Sequence, residues 1–444
     1  MRLKSTSKGY GGWAQVSIGD LVDIKHGFAF KGENIHDEPR GDVLLTPGNF
    51  AVGGGFKGEK FKFYDGYVPE EFVLSTGDLL VTMTDLSKLS DTLGYPALVP
   101  EGPEGLRYLH NQRLGKVSLK GTDAVDTRFL YYVMCTADYR HEILASATGT
   151  TVKHTSPDRI KQFMFMLPPL PEQRSIAHIL GTLDDKIELN RRMNETLEAM
   201  ARAIFEDWFV DFGPVRAKLE GREPYLPPEL WDLFPDRLVD SELGEIPEGW
   251  EVKSLGDCFN LTMGQSPPGN TYNDHGEGLP FFQGSTDFGA RFPSNRKYCS
   301  SPNRIAEGGD TLVSVRAPVG ALNMAWEKCC IGRGVAALRH KSESGAFTYY
   351  SAWAMQSEFE RYEQTGTVFG AITRKQFETL SVISPTDELV GRFAKWVLPL
   401  EQKLRTNEFG SRSLAAQRDV LLPRLVSGGL EVRQPKCLLT EEAP

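Results

Sequence analysis

Two short segments have the acid-x-Lys form of a nuclease half-motif, Asp184-Asp185-Lys186 and Glu401-Gln402-Lys403. Carboxylates in such a motif would hold a divalent cation beside the phosphodiester that is cleaved. Both segments lie in stretches with a helical repeat of apolar residues, whereas nuclease carboxylates of this class lie on strands. We therefore interpret both segments as solvated helix faces.

Other familiar catalytic motifs do not occur in the sequence. The Asn/Asp-Pro-Pro-Tyr/Phe signature of adenine methyltransferases, a Walker A phosphate loop and a Gly-x-Ser-x-Gly nucleophile elbow are missing. The six cysteines form no Cys-x-x-Cys pair, and the eight histidines form no obvious ligand pair. We expect no catalytic, metal-binding or cofactor-binding residues in this chain.

The charge distribution leaves DNA binding open. The net charge of −9 counts against a simple nucleic-acid binder, which is usually basic. Basic residues are nevertheless concentrated locally, since residues 105–120 contain Lys and Arg but no acid, and residues 281–341 contain nine Lys/Arg against four Asp/Glu. The N-terminus has no apolar signal-peptide core, and no apolar run approaches the ~20 residues that span a bilayer. We expect a cytoplasmic protein.

The sequence contains the same pattern twice. Trp13, Gly27 and the Gly77-Asp78 pair recur as Trp250, Gly264 and Gly309-Asp310. Each copy alternates short β-type runs with glycine and proline and is followed by a long helical stretch. Within the first copy, the pattern predicts one helix from Asp126 to about Leu144. Such a duplication predicts two similar, non-identical binding surfaces.

The long helical stretches have the 3-4 spacing of a coiled-coil seam. Pro171 suits the start of the first helix, and Gly213-Pro214 ends it. Asn190 and Asn407 occupy the same seam position, where asparagine costs stability but fixes register, so we expect the two helices to pair with each other. The alternative is that both asparagines face solvent. The predicted seam is Leu180, Leu183, Ile187, Asn190, Leu197 and Ile204, with Val397, Leu400, Leu404, Asn407, Leu414 and Leu421.

These features predict an α+β fold. Two globular α/β domains would be separated by two long antiparallel helices that form a coiled coil, with internal pseudo-two-fold symmetry. Residues 213–245 are rich in Pro, Glu and Leu and are interpreted as a tethering loop.

Four segments carry a family resemblance. Residues 167–187, which begin Leu-Pro-Pro-Leu-Pro-Glu-Gln-Arg, closely resemble the central conserved region of type I restriction-modification specificity subunits. Residues 208–212 (Trp-Phe-Val-Asp-Phe), 243–250 (Leu-Gly-Glu-Ile-Pro-Glu-Gly-Trp) and 421–428 (Leu-Leu-Pro-Arg-Leu-Val-Ser-Gly) fit the same family. Together they punctuate the whole chain.

The resemblance implies a non-catalytic, sequence-specific DNA-binding subunit. Two target-recognition domains would each read one half of a bipartite, asymmetric site. The helix pair would set the spacing and dock two modification subunits, which carry S-adenosylmethionine and methylate adenine, while restriction subunits, which translocate and cut DNA with ATP and Mg, can join. A single-chain restriction enzyme and a protein-only coiled-coil adaptor remain the alternatives.

The resemblance also divides the chain into segments. They are a first target-recognition domain (1–155), a central conserved coiled-coil helix (156–215), a linker loop (216–245), a second target-recognition domain (246–382), a C-terminal conserved coiled-coil helix (383–430) and a tail (431–444).

Basic and amide side chains in both domains are the candidate DNA contacts, because lysine and arginine position a protein on phosphates and a few side chains reach base edges. Arg113 and Arg333 share a repeat position, which ranks them above the others. Any single candidate could instead be a surface salt-bridge partner. The candidates are Lys57, Lys60, Lys62, Arg107, Asn111, Gln112 and Arg113 in the first domain, and Gln283, Arg291, Arg296, Arg316, Arg333 and Arg339 in the second.

Overall fold

The protein forms two compact units. The computed structural model describes residues 12–58, 60–85, 91–102, 105–121, 124–150, 152–362 and 370–432. The first unit is Met1–Leu189 with Gly410–Pro444, and the second is Asn190–Phe409. Each unit therefore combines an α/β region with part of both long helices.

Short strands and helices alternate in the first unit. Polar residues mark where its helices begin, because Ser17, Asp126 and Thr136 each accept a backbone N–H from the turn that follows. The elements are β1 (Ala14–Ser17), α1 (Ile18–Leu21), β2 (Val22–His26), β3 (Ile35–His36), β4 (Asp42–Leu45), β5 (Lys62–Tyr64), β6 (Val73–Leu74), β7 (Leu79–Thr82), β8 (Thr84–Asp85), β9 (Pro96–Leu98), β10 (Tyr108–His110), β11 (Leu114–Leu119), α2 (Thr127–Met134), α3 (Ala137–Ser146), β12 (Lys153–His154), α4 (Pro157–Gln162), β13 (Met164–Leu167) and α5 (Leu170–Phe209).

The single helix predicted from Asp126 to about Leu144 is wrong. The structure has two helices there, α2 and α3, because Thr136 adopts an extended conformation with φ −70° and ψ 152°. Its hydroxyl accepts from the Tyr139 N–H and so caps the start of α3. A threonine between two helical segments is a start signal that the periodicity alone does not reveal.

The elements of the second unit begin with two short helices and a hairpin that have no counterpart among the described residues of the first unit, and most of the others repeat those of the first. They are α6 (Gly213–Leu219), α7 (Pro228–Trp231), β14 (Leu238–Ser241), β15 (Gly244–Pro247), β16 (Glu251–Ser254), α8 (Leu255–Cys258), β17 (Phe259–Met263), β18 (Tyr272–Asn273), β19 (Leu279–Phe282), β20 (Tyr298–Cys299), β21 (Ile305–Ala306), β22 (Thr311–Ser314), β23 (Leu322–Met324), β24 (Cys329–Ile331), β25 (Val335–His340), α9 (Gly345–Ala354), α10 (Gln356–Glu360), α11 (Arg374–Glu378), β26 (Ser381–Ser384) and α12 (Asp387–Val426).

The sheets of the two units have the same topology. The five-stranded sheet has the order β3-β5-β4-β10-β6 in the first unit and β18-β20-β19-β24-β21 in the second. The four-stranded sheet has the order β2-β11-β7-β9 in one and β17-β25-β22-β23 in the other. In both units the third and fourth strands of the five-stranded sheet, β4 with β10 and β19 with β24, pair in parallel. The duplication seen in the sequence is therefore a duplication of fold.

The long helices α5 and α12 have 40 residues each and pack antiparallel. In the second unit, Asn190 donates to the Asn407 carbonyl at 3.3 Å, and Asn407 donates to Asn194 Oδ1 at 3.0 Å. Both Asn190 and Asn407 are 4% exposed, so the alternative that they face solvent is wrong. The predicted seam residues that are buried are Leu180, Asn190, Val397, Leu404 and Asn407, and those that are partly buried are Leu183, Ile187, Leu197, Ile204, Leu400, Leu414 and Leu421.

Residues 213–245 are not a tethering loop. They form α6, α7 and most of the hairpin of β14 and β15. Leu230 and Phe234 are buried, and the Phe234 ring meets the Trp208 ring edge-on at 5.5 Å between centroids. The leucines and aromatic residues of this segment therefore belong to the core of the second unit, which composition alone did not reveal. Among the described residues, no helix combines the length and apolar character that a membrane crossing needs.

Candidate nucleic-acid interface

The strongest DNA-contact candidates lie on equivalent turns. Arg113 lies between β10 and β11, and Arg333 lies between β24 and β25. In each unit this turn connects the fourth strand of the five-stranded sheet to the second strand of the four-stranded sheet. The two turns are therefore equivalent in the fold, but the strand register matches Leu114 with Val335. Arg333 then corresponds to Gln112 and Arg113 to Gly334, so the shared repeat position predicted for the two arginines is wrong by one residue.

Backbone hydrogen bonds hold each turn in the same way. In the first unit, the Gln112 N–H donates to the Phe28 carbonyl at 2.9 Å, and the Met83 N–H donates to the Arg113 carbonyl at 2.9 Å. In the second unit, the Val315 N–H donates to the Gly334 carbonyl at 2.9 Å. Rigid turns of this kind can present a side chain with little loss of conformational entropy.

A glycine makes room for each turn. A Cβ atom at Gly27 would overlap the carbonyl oxygens of His110 and Asn111, and one at Gly264 would overlap those of Gly332 and Val335. Gly27 and Gly264 are repeat equivalents, so the same close approach of two backbone segments is built twice. Both positions therefore require glycine, because the neighbouring backbone leaves no room for a Cβ atom.

We expect Gly264→Ala to lower the free energy of unfolding of the second unit by about 1–3 kcal/mol, because backbone must move to admit the methyl group. Thermal unfolding measures the change. Gly269→Ala is the matched control, since a Cβ there meets no atom within 4 Å, and it should change stability by less than about 0.5 kcal/mol. Equal losses in the two variants would contradict the steric explanation.

Arg113 and Arg333 are exposed and have no acidic partner. Their backbone N–H groups donate to Asn111 Oδ1 at 2.9 Å and to Ser266 Oγ at 3.5 Å, but neither guanidinium makes an ion pair with any residue that the structure describes. His110, beneath the first turn, adds no charge, because burial lowers its pKa to about 4. Each turn therefore presents one uncompensated positive charge.

Other candidates are paired with acids. Arg107 Nη2 lies 2.6 Å from Asp42 Oδ2, and this hydrogen bond raises the pKa of Arg107. Arg296 pairs with Asp287 at 2.7 Å, and Arg339 with Asp310 at 2.5 Å. Lys62 pairs with Asp37. A neighbouring carboxylate cancels much of the attraction to a phosphate, so these four are weaker candidates.

Arg291 is not available to DNA. Its side chain is 3% exposed, and its Nη2 lies 3.0 and 2.8 Å from the two carboxylate oxygens of Glu401. The guanidinium also stacks on the Tyr349 ring at 3.3 Å from the centroid. The prediction of Arg291 as a DNA contact is therefore wrong, because this arginine joins the α/β region to α12 inside the second unit.

The turn at Arg333 gathers several polar side chains. The Gly334 N–H donates to the Gln283 carbonyl at 3.1 Å, and Arg316 directly follows Val315, which also binds this turn. The predicted residues Gln283, Arg316 and Arg333 are thus brought together, and all three are exposed. Gln265, which was not predicted, is also exposed and lies beside them, since its backbone N–H donates to the Ile331 carbonyl at 3.1 Å. Its position directly after the repeated Gly264 was the signal that could have revealed it.

The first unit gathers fewer of its candidates. Asn111 is partly buried and supports the turn, while Gln112 beside it is exposed. His26, which was not predicted, contacts the Gln112 carbonyl through Nδ1 at 3.4 Å. Lys57 and Lys60 lie in a different loop, where the buried Asn49 amide donates to both of their carbonyl oxygens.

The two acid-x-Lys segments lie in long helices, as expected, and their second and third residues are exposed, but their first acids are only partly exposed. Asp184 accepts from the Tyr132 hydroxyl and Arg418, and Glu401 accepts from the Tyr350 hydroxyl and Arg291. Both carboxylates thus already accept hydrogen bonds from other parts of the fold. Among the described residues, no three His, Cys, Asp or Glu side chains are grouped so as to hold a metal ion.

A family model described as "Type I restriction modification DNA specificity domain" matches residues 10–199 and 247–396. The chain belongs to this family. The two matched ranges correspond to the two copies of the repeat, so the specificity domain occurs twice in this chain. The predicted family is therefore confirmed.

Specificity subunits of known type I enzymes are similar to this chain. A putative type I restriction enzyme MjaX specificity subunit from Methanocaldococcus jannaschii is 32% identical over 62% of this chain and 61% of its own length. The type I restriction enzyme HindI specificity subunit from Haemophilus influenzae is 27% identical over 66% of this chain and 74% of its own length. The chain thus spans less than two thirds of the first relative and about three quarters of the second.

The fold matches a solved specificity subunit. The crystal structure of the S subunit of a type I restriction-modification system from M. genitalium superimposes with a TM-score of 0.54 at 19% identity, covering 98% of this chain and 100% of that one. The predicted α+β fold with two α/β domains and two long antiparallel helices is confirmed.

Proposed function

We propose that this specificity subunit reads a bipartite, asymmetric DNA site in the cytoplasm, with one half-site for each unit. The observation that carries the proposal is the repeated turn, on which Arg113 and Arg333 each present a guanidinium without an acidic partner among the described residues. The surrounding polar side chains differ between the units, since Gln112 and His26 flank one turn and Gln283 and Arg316 the other. Different side chains on the same scaffold would read different half-sites.

The helix pair would set the spacing and dock two modification subunits. Exposed apolar side chains on the helices are candidate contacts for docking, because protein–protein interfaces take up apolar side chains. In the second unit, Phe409 is 65% exposed and Trp396 is 44% exposed on α12. The modification subunits would supply S-adenosylmethionine and methylate adenine, and restriction subunits would supply ATP- and Mg-dependent cleavage. The division of the chain into the segments 1–155, 156–215, 246–382, 383–430 and 431–444 belongs to the same proposal, whereas the predicted linker loop (216–245) is replaced by the helices and hairpin described above.

DNA binding with and without the modification subunit tests the proposal. A gel shift should show sequence-selective binding by the complex and only weak, unselective binding by the lone chain. Partner binding without any DNA selectivity would favour a protein-only adaptor. Cleavage or methylation by the lone chain would favour a single-chain enzyme, and either result would contradict the proposal.

Lengthening both helices tests the spacing role. One heptad inserted between Leu189 and Asn190 and another between Phe409 and Gly410 would fall at the borders of the two units. Each heptad adds ~10 Å of helix, and we expect the preferred gap between half-sites to lengthen by roughly one to three base pairs. Methylation of duplexes with graded gaps measures the change. Altered half-site sequences would contradict the spacing role.

A further inference from the structure

One hydrogen bond occurs at the same place in both halves of the chain. The Tyr132 hydroxyl donates to Asp184 Oδ2 at 2.7 Å, and the Tyr350 hydroxyl donates to Glu401 Oε1 at 2.7 Å. Both tyrosines lie in the first helix after the four-stranded sheet, α2 in one unit and α9 in the other. Both acids lie at corresponding positions of α5 and α12. Each bond therefore ties an α/β region to the long helix that follows it.

An arginine fixes each acceptor carboxylate. Arg418 Nη1 donates to Asp184 Oδ1 at 2.8 Å, and Arg291 Nη2 donates to Glu401 Oε2 at 2.8 Å. The first arginine comes from α12 and the second from the loop before β20, so the same support is reached in two different ways. Because the arginine holds the carboxylate, the carboxylate cannot rotate away from the tyrosine hydroxyl.

The donor is equally constrained. Tyr132 is 3% exposed and Tyr350 is fully buried, so neither hydroxyl can exchange its partner for water. Burial also raises the pKa of both hydroxyls, which therefore remain protonated donors at neutral pH. A charge-assisted hydrogen bond in such a site is short, directional and stronger than an exposed one.

The other polar links between domain and helix differ from one unit to the other. The first unit uses Arg128 with Asp185 at 2.7 Å and the Asp126 N–H with Gln173 Oε1 at 2.8 Å. The second unit uses Tyr349 with Glu198 at 3.3 Å. The tyrosine–carboxylate bond is thus a polar link that both halves retain although other links differ, such as Trp13 with Glu172 in the first unit and Arg405 with the Trp326 carbonyl in the second. A shared link points to a shared task rather than to the reading of a particular half-site.

We propose that these two bonds are orientation clamps. Tyr132 and Tyr350 are positioning residues that hold each domain at one angle on its helix, and thereby make the complex selective for one gap between half-sites. This inference rests on the proposed function. A domain free to rock on its helix would accept half-sites at several gaps, whereas a clamped domain would accept one.

The test removes only the two hydroxyl groups. The complex of the Tyr132→Phe or Tyr350→Phe chain with its modification subunits would methylate duplexes that carry the native gap or a gap one base pair shorter or longer. We expect selectivity for the native gap to fall about tenfold in each variant, equivalent to ~1.4 kcal/mol, with both half-site sequences unchanged. Asp184→Ala removes the Arg418 contact as well and should lose at least as much selectivity as Tyr132→Phe, while Asp184→Asn, which keeps an acceptor oxygen, should lose less than Asp184→Ala.

Tyr225→Phe is the matched control. The Tyr225 hydroxyl donates to Asp207 Oδ2 at 2.9 Å, but this bond attaches residues 213–245 to α5 rather than an α/β domain to its helix. Gap selectivity should therefore be unchanged in this variant.

Two results would overturn the clamps. One is unchanged gap selectivity in Tyr132→Phe and Tyr350→Phe despite a lower Tm. In that case the bonds would only stabilise the fold. The other is an equal loss of selectivity in Tyr225→Phe. If the complex with the wild-type chain methylates no bipartite site at all, the proposed function itself is wrong. Failure of the clamps and failure of the proposed function are therefore distinguishable.

Discussion

Replacing Arg333 with alanine is expected to weaken the binding of the complex to its DNA site by about 10- to 100-fold. The corresponding change at Arg113 should have a similar effect through the other half-site. Each arginine lies exposed on a turn that backbone hydrogen bonds hold in place, without an acidic partner among the described residues. Loss of a charge-assisted contact to a base edge or phosphate costs ~1–3 kcal/mol.

Fluorescence anisotropy at two salt concentrations measures both the loss and its origin. If the guanidinium contacts a phosphate, the slope of log affinity against log salt falls by about one; if it contacts a base, selectivity relaxes at one position of one half-site. Arg107→Ala and Arg296→Ala are matched controls, one in each unit, because Asp42 and Asp287 already neutralise these arginines. They should change affinity less than about twofold. Equal losses from the controls and from Arg333→Ala would contradict the role of the turns.

Replacing Arg291 with alanine is expected to lower the free energy of unfolding of the second unit by about 3–5 kcal/mol, because it leaves the Glu401 carboxylate without its buried cation. The guanidinium also stacks on Tyr349, so packing is lost as well. Chemical denaturation, followed by the fluorescence of the tryptophans of this unit, measures the change.

Arg296→Ala is again the control, now for stability. Arg296 and Arg291 are both arginines of the same unit with one acidic partner each, but the Arg296 side chain is 59% exposed and that of Arg291 is 3% exposed. An exposed pair contributes ~0–1 kcal/mol. If Arg291→Ala were no more destabilising than Arg296→Ala but abolished DNA binding, Arg291 would be a DNA contact after all.

The long helices could be predicted from the sequence because their heptad spacing is a local pattern. The seam from Leu180 to Ile204 and the paired positions Asn190 and Asn407 follow from side-chain periodicity, and the structure buries both asparagines between the helices. The capping hydroxyl of Thr136 was not distinguished from a helix interior, because an apolar repeat continues on both sides of it. Helix pairing can thus be predicted where the heptad spacing is unbroken, whereas a break between two helices cannot be predicted from spacing alone.

The reading surface could be predicted only in part. The repeat alone ranked Arg113 and Arg333 above other candidates, and both lie on the equivalent turns. By contrast, the sequence could not separate Arg291 from Arg296, because their acidic partners, Glu401 and Asp287, are set by tertiary contacts. The same holds for Asp184 and Glu401, whose tyrosine and arginine partners come from distant parts of the chain. Whether a side chain is free to contact DNA depends on its tertiary contacts, and residue type alone does not reveal them.

The measurement that tests the central claim most directly is a map of methylated adenines in DNA from cells that express this chain with its modification subunit. We expect one asymmetric motif made of two half-sites at a single gap, and we expect that exchanging residues 1–155 for those of another specificity subunit changes one half-site only. A map in which this exchange altered both half-sites, or in which methylation followed a continuous motif without a gap, would contradict two independent reading units.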